Sequence, residues 1–227
     1  MAPHNVPNRA QIKTWLLPGR KRIIFLLFIA LVLFFLVAWI VFIAEGSYLD
    51  ESVFEFIALH RTPARTQIMR WISYLGNTEF LIPANLLLVV YFILRKDKWG
   101  AITVAVVALS NVLVMSMLKR LFKRQRPSEP LIEGITNFSF PSGHAFMSVA
   151  FYGLLIWFAA ISMANKKLQW AVILFLLALI IAIGFSRIYL RVHFTTDIFA
   201  GFTLGFTWLI IALVMMNKKQ TGNYFRR

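Results

Sequence analysis

The run from Ile23 to Ala44 contains no charged residue and almost nothing polar. A helix needs roughly 20 apolar residues to cross the hydrocarbon core of a bilayer. In lipid every backbone N–H and C=O must find its partner within the segment. The run therefore dictates a membrane-spanning helix. Five more apolar stretches follow, at residues 78–94, 99–118, 144–164, 168–185 and 197–216. Pro83 falls inside the second span, where a membrane helix tolerates it. Short polar turns at 95–98 and 165–167 join neighbouring spans. Only 15% of the residues are charged, against about 25% in soluble domains. These features predict an all-α polytopic protein with six transmembrane helices at 23–44, 78–94, 99–118, 144–164, 168–185 and 197–216. Residues 1–227 are read as a single membrane-embedded domain that opens on a basic tail at 1–22. A short interfacial helix is expected around Ile12 to Leu17. The first apolar run is too long for a signal peptide and has no small-residue cleavage pattern before Glu45, so it is read as a retained span.

Residues 45–77 are mixed in character. Ile68, Trp71, Ile72 and Leu75 recur at helical spacing, with Arg65, Thr66, Arg70 and Ser73 elsewhere on the wheel. This predicts an amphipathic helix at the membrane surface. It is either a wall beside a lipid ligand or a packing element between spans.

Six spans place both termini on one side. The tails and the two short turns carry 14 of the 24 Lys and Arg residues and a single acid, Asp97. The other side carries the remaining cations and eight of the 9 acids. The positive-inside rule then makes both termini cytoplasmic and the 45–77 region periplasmic. The net charge of +15 does not imply a nucleic-acid partner, because the cations flank apolar runs and build no basic face of their own. The absence of cysteine excludes disulfides, thiol catalysis and cysteine–metal sites.

Three polar clusters lie at span ends on the predicted outer side. The first is KRLFKRQRP at 119–127, the second PSGH at 141–144, the third SRIYLRVHFTTD at 186–197. Each has a plain reading when taken alone. The basic stretch can be a juxtamembrane patch for anionic headgroups, a reading applied here to Arg120, Lys123 and Arg124, whereas Pro127 fixes Arg126 in place. Ser142 can simply cap the following helix. His193 and Asp197, four apart, share a helix face and can be a local hydrogen bond, or Asp197 can simply favour the helix N-terminus. Arg187 and Ser186 read as an anion-binding pair. Arg191 fits either class. Taken jointly, the clusters supply two histidines, a carboxylate and several fixed cations. Those are the parts phosphoryl transfer needs, since its catalysis rests on positioning and charge stabilisation.

The pattern Lys119-x6-Arg126-Pro127, then Pro141-Ser142-Gly143-His144, then Ser186-Arg187-x5-His193-x3-Asp197 resembles the three-part signature of the type 2 phosphatidic acid phosphatase superfamily. Every signature position is matched, in order. Within that superfamily the chain looks most similar to compact bacterial members, the phosphatidylglycerophosphatases B and the undecaprenyl pyrophosphate phosphatases. The resemblance implies that His193 is the nucleophile and forms a phosphohistidine, that Asp197 orients it, and that His144 protonates the leaving group. It implies that Lys119, Arg126, Ser142, Gly143 and Arg187 bind the phosphate. No metal or other cofactor is implied. The expected activity is hydrolysis of a lipid phosphate or pyrophosphate at the outer face of the cell membrane. Undecaprenyl pyrophosphate and phosphatidylglycerol phosphate are the leading substrates, and the lipid bilayer is the partner. The competing reading is a lipid flippase or anion transporter without phosphatase activity. It predicts ionisable residues in mid-span, where this sequence offers only Asn85 and Asn111. A divalent-metal hydrolase using His144, His193 and Asp197 ranks below both, because the neighbouring cations would oppose the ion.

Overall fold

The computed structural model describes residues 20–43 and 48–224. The interfacial helix expected around Ile12 to Leu17 and most of the basic N-terminal tail lie outside the described residues. Among the described residues there are eight helices and no strand: α1 (Arg20–Phe42), α2 (Tyr48–Leu59), α3 (Pro63–Tyr74), α4 (Thr78–Leu94), α5 (Lys98–Phe122), α6 (Gly143–Ser162), α7 (Lys166–Tyr189) and α8 (Thr195–Tyr224). Six stretches are long and apolar enough to cross a membrane: α1, the α3–α4 pair, α5, α6, α7 and the first twenty residues of α8.

The described part of the mixed region, residues 48–77, forms two helices rather than one. Thr62 caps α3 by accepting the Arg65 N–H, and Pro63 occupies the first turn, where its missing N–H is no loss. Several helices also run past the end of their apolar stretch. The expected span ended at residue 118, but α5 continues to Phe122 and carries Lys119 and Arg120 in its last turn. Likewise α7 continues to Tyr189 and carries Ser186 and Arg187. Hydropathy marks the hydrocarbon boundary, whereas a helix continues as long as its backbone groups stay paired.

α6 lies at the centre, packed on α5, α7 and α8, while α1 lies along α8. Ala145, Phe146, Ala150 and Leu154 of α6 are fully buried. Gly201 and Gly205 put two bare positions on the face of α8 that meets α6. A Cβ on Gly201 would stand 2.7 Å from the Ser142 carbonyl oxygen, and one on Gly205 would stand 2.8 Å from that of Phe146. Small residues four apart let two membrane helices approach this closely. That approach brings the start of α6, with the second polar cluster, against the start of α8. On the opposite side α1 presents Phe25, Phe28, Phe35 and Leu36 outward, as a lipid-facing helix must.

Candidate active site

The three polar clusters converge on one cavity of about 670 Å³. Lys119, Arg126, Gly143, His144, Arg187 and His193 all border it. The clusters come from different parts of the chain, so the convergence is a property of the fold. The end of α5 supplies Lys119, the following loop Arg126, the start of α6 Gly143 and His144, and the end of α7 Arg187. His193 comes from the bend before α8.

His193 is almost completely buried, at 1% exposure. Its Nδ1 faces Asp197 Oδ2 at 3.3 Å, and its Nε2 lies 3.3 Å from Arg126 Nη1. Asp197 is held from every side. Its Oδ2 accepts the Phe194 N–H at 2.9 Å and the Ser139 hydroxyl, and its Oδ1 accepts Arg124 Nη1 at 2.6 Å. A carboxylate fixed on Nδ1 keeps the proton there and leaves the Nε2 lone pair free as a nucleophile. Burial pushes the His193 pKa down to about 3, assisted by Arg126 and Arg187 and opposed by the hydrogen bond and charge of Asp197. The imidazole is therefore neutral, its nucleophilic form, at physiological pH.

The cations are positioned by neutral oxygens, which leaves their charge uncancelled. Lys119 Nζ donates to Asn137 Oδ1 at 3.0 Å and to the Phe138 carbonyl at 2.8 Å. Arg126 Nε donates to the Asn137 carbonyl at 2.8 Å, Nη2 to Asn137 Oδ1 and Nη1 to the Val192 carbonyl. Asn137 thus clamps two cations side by side. Burial lowers the Arg126 pKa to about 10, partly offset by Asp197, so it remains charged at neutral pH. Arg187 Nη1 donates to Ser73 Oγ at 2.6 Å, while its buried Nε has no partner. An anion in the cavity would meet three cations that have not been neutralised by acids.

Two sequence-predicted roles sit differently. Ser142 caps α6, its Oγ accepting the Ala145 N–H. Its own N–H donates to the Asp197 carbonyl at 3.1 Å, and the cavity wall there is Gly143 and His144. Ser186 is buried and donates to the Ile183 carbonyl at 2.7 Å, so it does not pair with Arg187 on the cavity. Arg191 bridges loosely to the exposed Glu129, at 3.4 Å.

Arg124 overturns its assignment to the lipid-headgroup patch. It pairs with both Asp197 and Asp50 and lies over the Phe194 ring, 4.0 Å from the centroid. The cause is local. α5 ends at Phe122, and Lys123 takes a left-handed conformation with φ 49°. The next residues then alternate, with Lys123 and Gln125 exposed and Arg124 and Arg126 turned inward. Proline biases the residue before it toward extended backbone, and side chains two apart in an extended segment share a face. That signal was available before Pro127. Asp50 and Ser73 carried no comparable signal, being far from the clusters in sequence, and Asn137 and Ser139 stand just before the second cluster without belonging to its pattern. Among the described residues no group of three His, Asp or Glu side chains could hold a metal ion.

An apolar groove of about 470 Å³ adjoins the cavity. It runs between α4 and α5, lined by Leu81, Ile82, Leu86, Ala108 and Leu109, and shares Thr78, Val112 and Met147 with the cavity wall.

The chain is similar to known proteins both in sequence and in fold. The sequence model of the PAP2 superfamily matches residues 99–221. Phosphatidylglycerophosphatase B of Bacillus subtilis is 30% identical over 162 residues, spanning 69% of this chain and 77% of that protein. An undecaprenyl-diphosphatase of Sulfolobus acidocaldarius is 27% identical over 179 residues, spanning 76% of this chain and 80% of that protein. The crystal structure of a transmembrane PAP2-type phosphatidylglycerolphosphate phosphatase from Bacillus subtilis superposes with a TM-score of 0.74 at 28% identity, covering 86% of this chain and 96% of that one. Aquifex aeolicus LpxE superposes with a TM-score of 0.54 at 27% identity, covering 77% and 98%. With the family match, these relatives and the six apolar helices, the chain belongs to the PAP2 superfamily and is a multi-pass membrane lipid phosphatase.

Proposed function

We propose that this lipid phosphatase works through a phosphohistidine on His193, without a metal, at the extracytoplasmic face of the cell membrane. The observation that carries the reading is the placement of His193. Its Nδ1 is held by Asp197, its Nε2 side meets the cations of the cavity, and His144 borders the same cavity. His193 Nε2 attacks phosphorus as the ester or anhydride oxygen leaves. His144 gives that oxygen its proton. Lys119, Arg126, Arg187 and the Gly143 backbone hold the equatorial oxygens, which carry the charge of the transition state. Ser142 contributes by fixing the turn that presents Gly143 and His144. Water then attacks the phosphohistidine with His144 as base, releasing inorganic phosphate and freeing His193.

The apolar groove beside the cavity favours a substrate with a long hydrocarbon tail over a soluble phosphate. Undecaprenyl pyrophosphate and phosphatidylglycerol phosphate fit this description, and two of the relatives, the phosphatidylglycerophosphatase B and the undecaprenyl-diphosphatase, are named for such lipids. Both termini are assigned to the cytoplasm by the distribution of Lys and Arg, and residues 1–227 are taken as one phosphatase domain. The transporter alternative has no ionisable route through the spans to support it.

The test is phosphate release by detergent-purified protein in the presence of chelator. The substrates are undecaprenyl pyrophosphate, phosphatidylglycerol phosphate and phosphatidic acid, with His193→Ala as the paired variant. Chelator-resistant turnover that the variant lacks is the expected result, and a trapped acid-labile phosphoenzyme would strengthen it. Near-normal turnover by His193→Ala would refute the mechanism.

A further inference from the structure

Asp50 lies on α2, outside the stretch that matches the family, yet it is completely buried against the reaction site. Its Oδ1 accepts the Thr196 N–H at 3.0 Å. Its Oδ2 accepts the Thr196 hydroxyl at 2.8 Å and Arg124 Nη2 at 3.0 Å. The other arm of the same guanidinium, Nη1, donates to Asp197 Oδ1 at 2.6 Å and to Thr196 Oγ1 at 2.8 Å. Asp197 in turn holds His193. A continuous line of hydrogen bonds therefore runs from Asp50 through Arg124 and Asp197 to the nucleophile.

We propose that Asp50 is a positioning residue for phosphoryl transfer, acting on the His193–Asp197 pair through Arg124. The inference rests on the phosphohistidine reading above. Two physical arguments carry it. The first is charge. As His193 attacks, its ring becomes cationic and needs the full negative charge of Asp197. A buried guanidinium on Asp197 alone would cancel that charge. Asp50 takes up the second arm of Arg124, so the Asp50–Arg124–Asp197 unit presents one net negative charge to the imidazole. The second is geometry. The guanidinium is a planar fork that can grip two carboxylates at once, which an ammonium group cannot do as rigidly. Asp50 also holds the backbone and hydroxyl of Thr196, the residue next to Asp197, and so sets the first turn of α8.

The test compares wild type, Asp50→Asn, Arg124→Gln and the double variant. The readouts are kcat and KM for phosphate release from phosphatidylglycerol phosphate in detergent micelles, with thermal melting to measure the folded fraction. A misplacement near 1 Å at a reacting group can cost about 100-fold in rate, and each single variant is expected to lose about 10–100-fold in kcat with KM nearly unchanged. The double variant should be no slower than the slower single one, because both changes break the same line. Thr196→Val, a milder change, should lower kcat several-fold, and it decides the matter if Asp50→Asn does not fold. Undiminished kcat in Asp50→Asn or in Thr196→Val would overturn the proposal. So would losses that multiply in the double variant, or a loss confined to melting temperature. His193→Ala, run alongside, separates the two levels. Turnover by that variant sinks the phosphohistidine reading itself, whereas an inert His193→Ala beside a fully active Asp50→Asn sinks only the role of Asp50.

Discussion

Gly201→Ala tests whether the approach of α6 and α8 builds the site. The added Cβ would lie 2.7 Å from the Ser142 carbonyl oxygen, 2.8 Å from Ala145 Cβ and 3.3 Å from the Phe146 nitrogen. Ordinary contacts begin at 3.4 Å, so the two helices must part by roughly 0.7 Å. The obstructing atoms are backbone or Cβ and cannot rotate away. Overpacking of this kind costs about 1–3 kcal/mol, while alanine is better than glycine in a helix interior by about 1 kcal/mol. The net destabilisation is about 0–2 kcal/mol, which leaves the protein folded. The chemistry fares worse. Gly143 and His144 sit between the displaced Ser142 and Ala145, and a misplacement near 1 Å can cost about 100-fold in rate.

The expected result is a fall of about 10- to 100-fold in kcat/KM for phosphate release from the lipid substrate, with melting shifted by only a few degrees. Gly205→Ala makes a similar clash one turn further from the site, 2.8 Å from the Phe146 carbonyl. It should cost comparable stability and less activity. Gly153→Ala meets only the end of the Leu209 side chain, which can swing aside, and it should leave turnover near wild type. Wild-type kcat/KM in Gly201→Ala would refute the reasoning. Equal activity losses at 201 and 205 would also refute it, because the effect would then be bundle loosening rather than displacement of the Gly143–His144 turn.

Two further outcomes can be measured on the same protein. His144→Ala should slow lipid esters far more than aryl phosphates, whose leaving groups need no proton; equal losses for both would remove its acid role. His193 links stability to pH: its pKa lies at about 3 in the folded protein against 6.5 ordinarily. The unfolded chain takes up this proton first, so the stability it contributes is present above pH 6.5 and is lost as pH falls toward 3. Melting temperature should therefore drop more steeply with acidification in wild type than in His193→Gln, and parallel curves would refute the neutral, buried imidazole.

The six-helix plan was legible because a bilayer leaves a chain few options. A run such as Ile23 to Ala44 has to be a helix. The helix ends were less legible, since Lys119 and Arg187 belong to helices although the apolar pattern stops before them. The convergence at the candidate site was legible where its residues come in dense local clusters, as with Gly143–His144 and His193–Asp197. It was not legible where one polar side chain on a distant element completes the geometry. Asp50 on α2 and Ser73 on α3 look ordinary in sequence and acquire their partners only when the helices pack.

The cations of the KRLFKRQRP stretch show how a charge count can mislead. Read as a juxtamembrane patch, they answer to headgroups, and their number is what matters. In the structure direction matters more. Arg120 and Lys123 face outward, and the headgroup reading remains apt for them. Lys119 and Arg126 point to the cavity, held by neutral oxygens that leave their charge uncancelled. Arg124 points between two buried acids, where its charge is matched. The split follows from one event, the termination of α5 at Phe122 with Lys123 in a left-handed turn. That turn converts a helical spacing, in which these side chains would fan around an axis, into an extended one that sends alternate residues inward. A helix continued through Lys123 would have kept Arg124 from Asp50 and Asp197. The end of α5 is therefore as much a part of the site as the side chains that border the cavity.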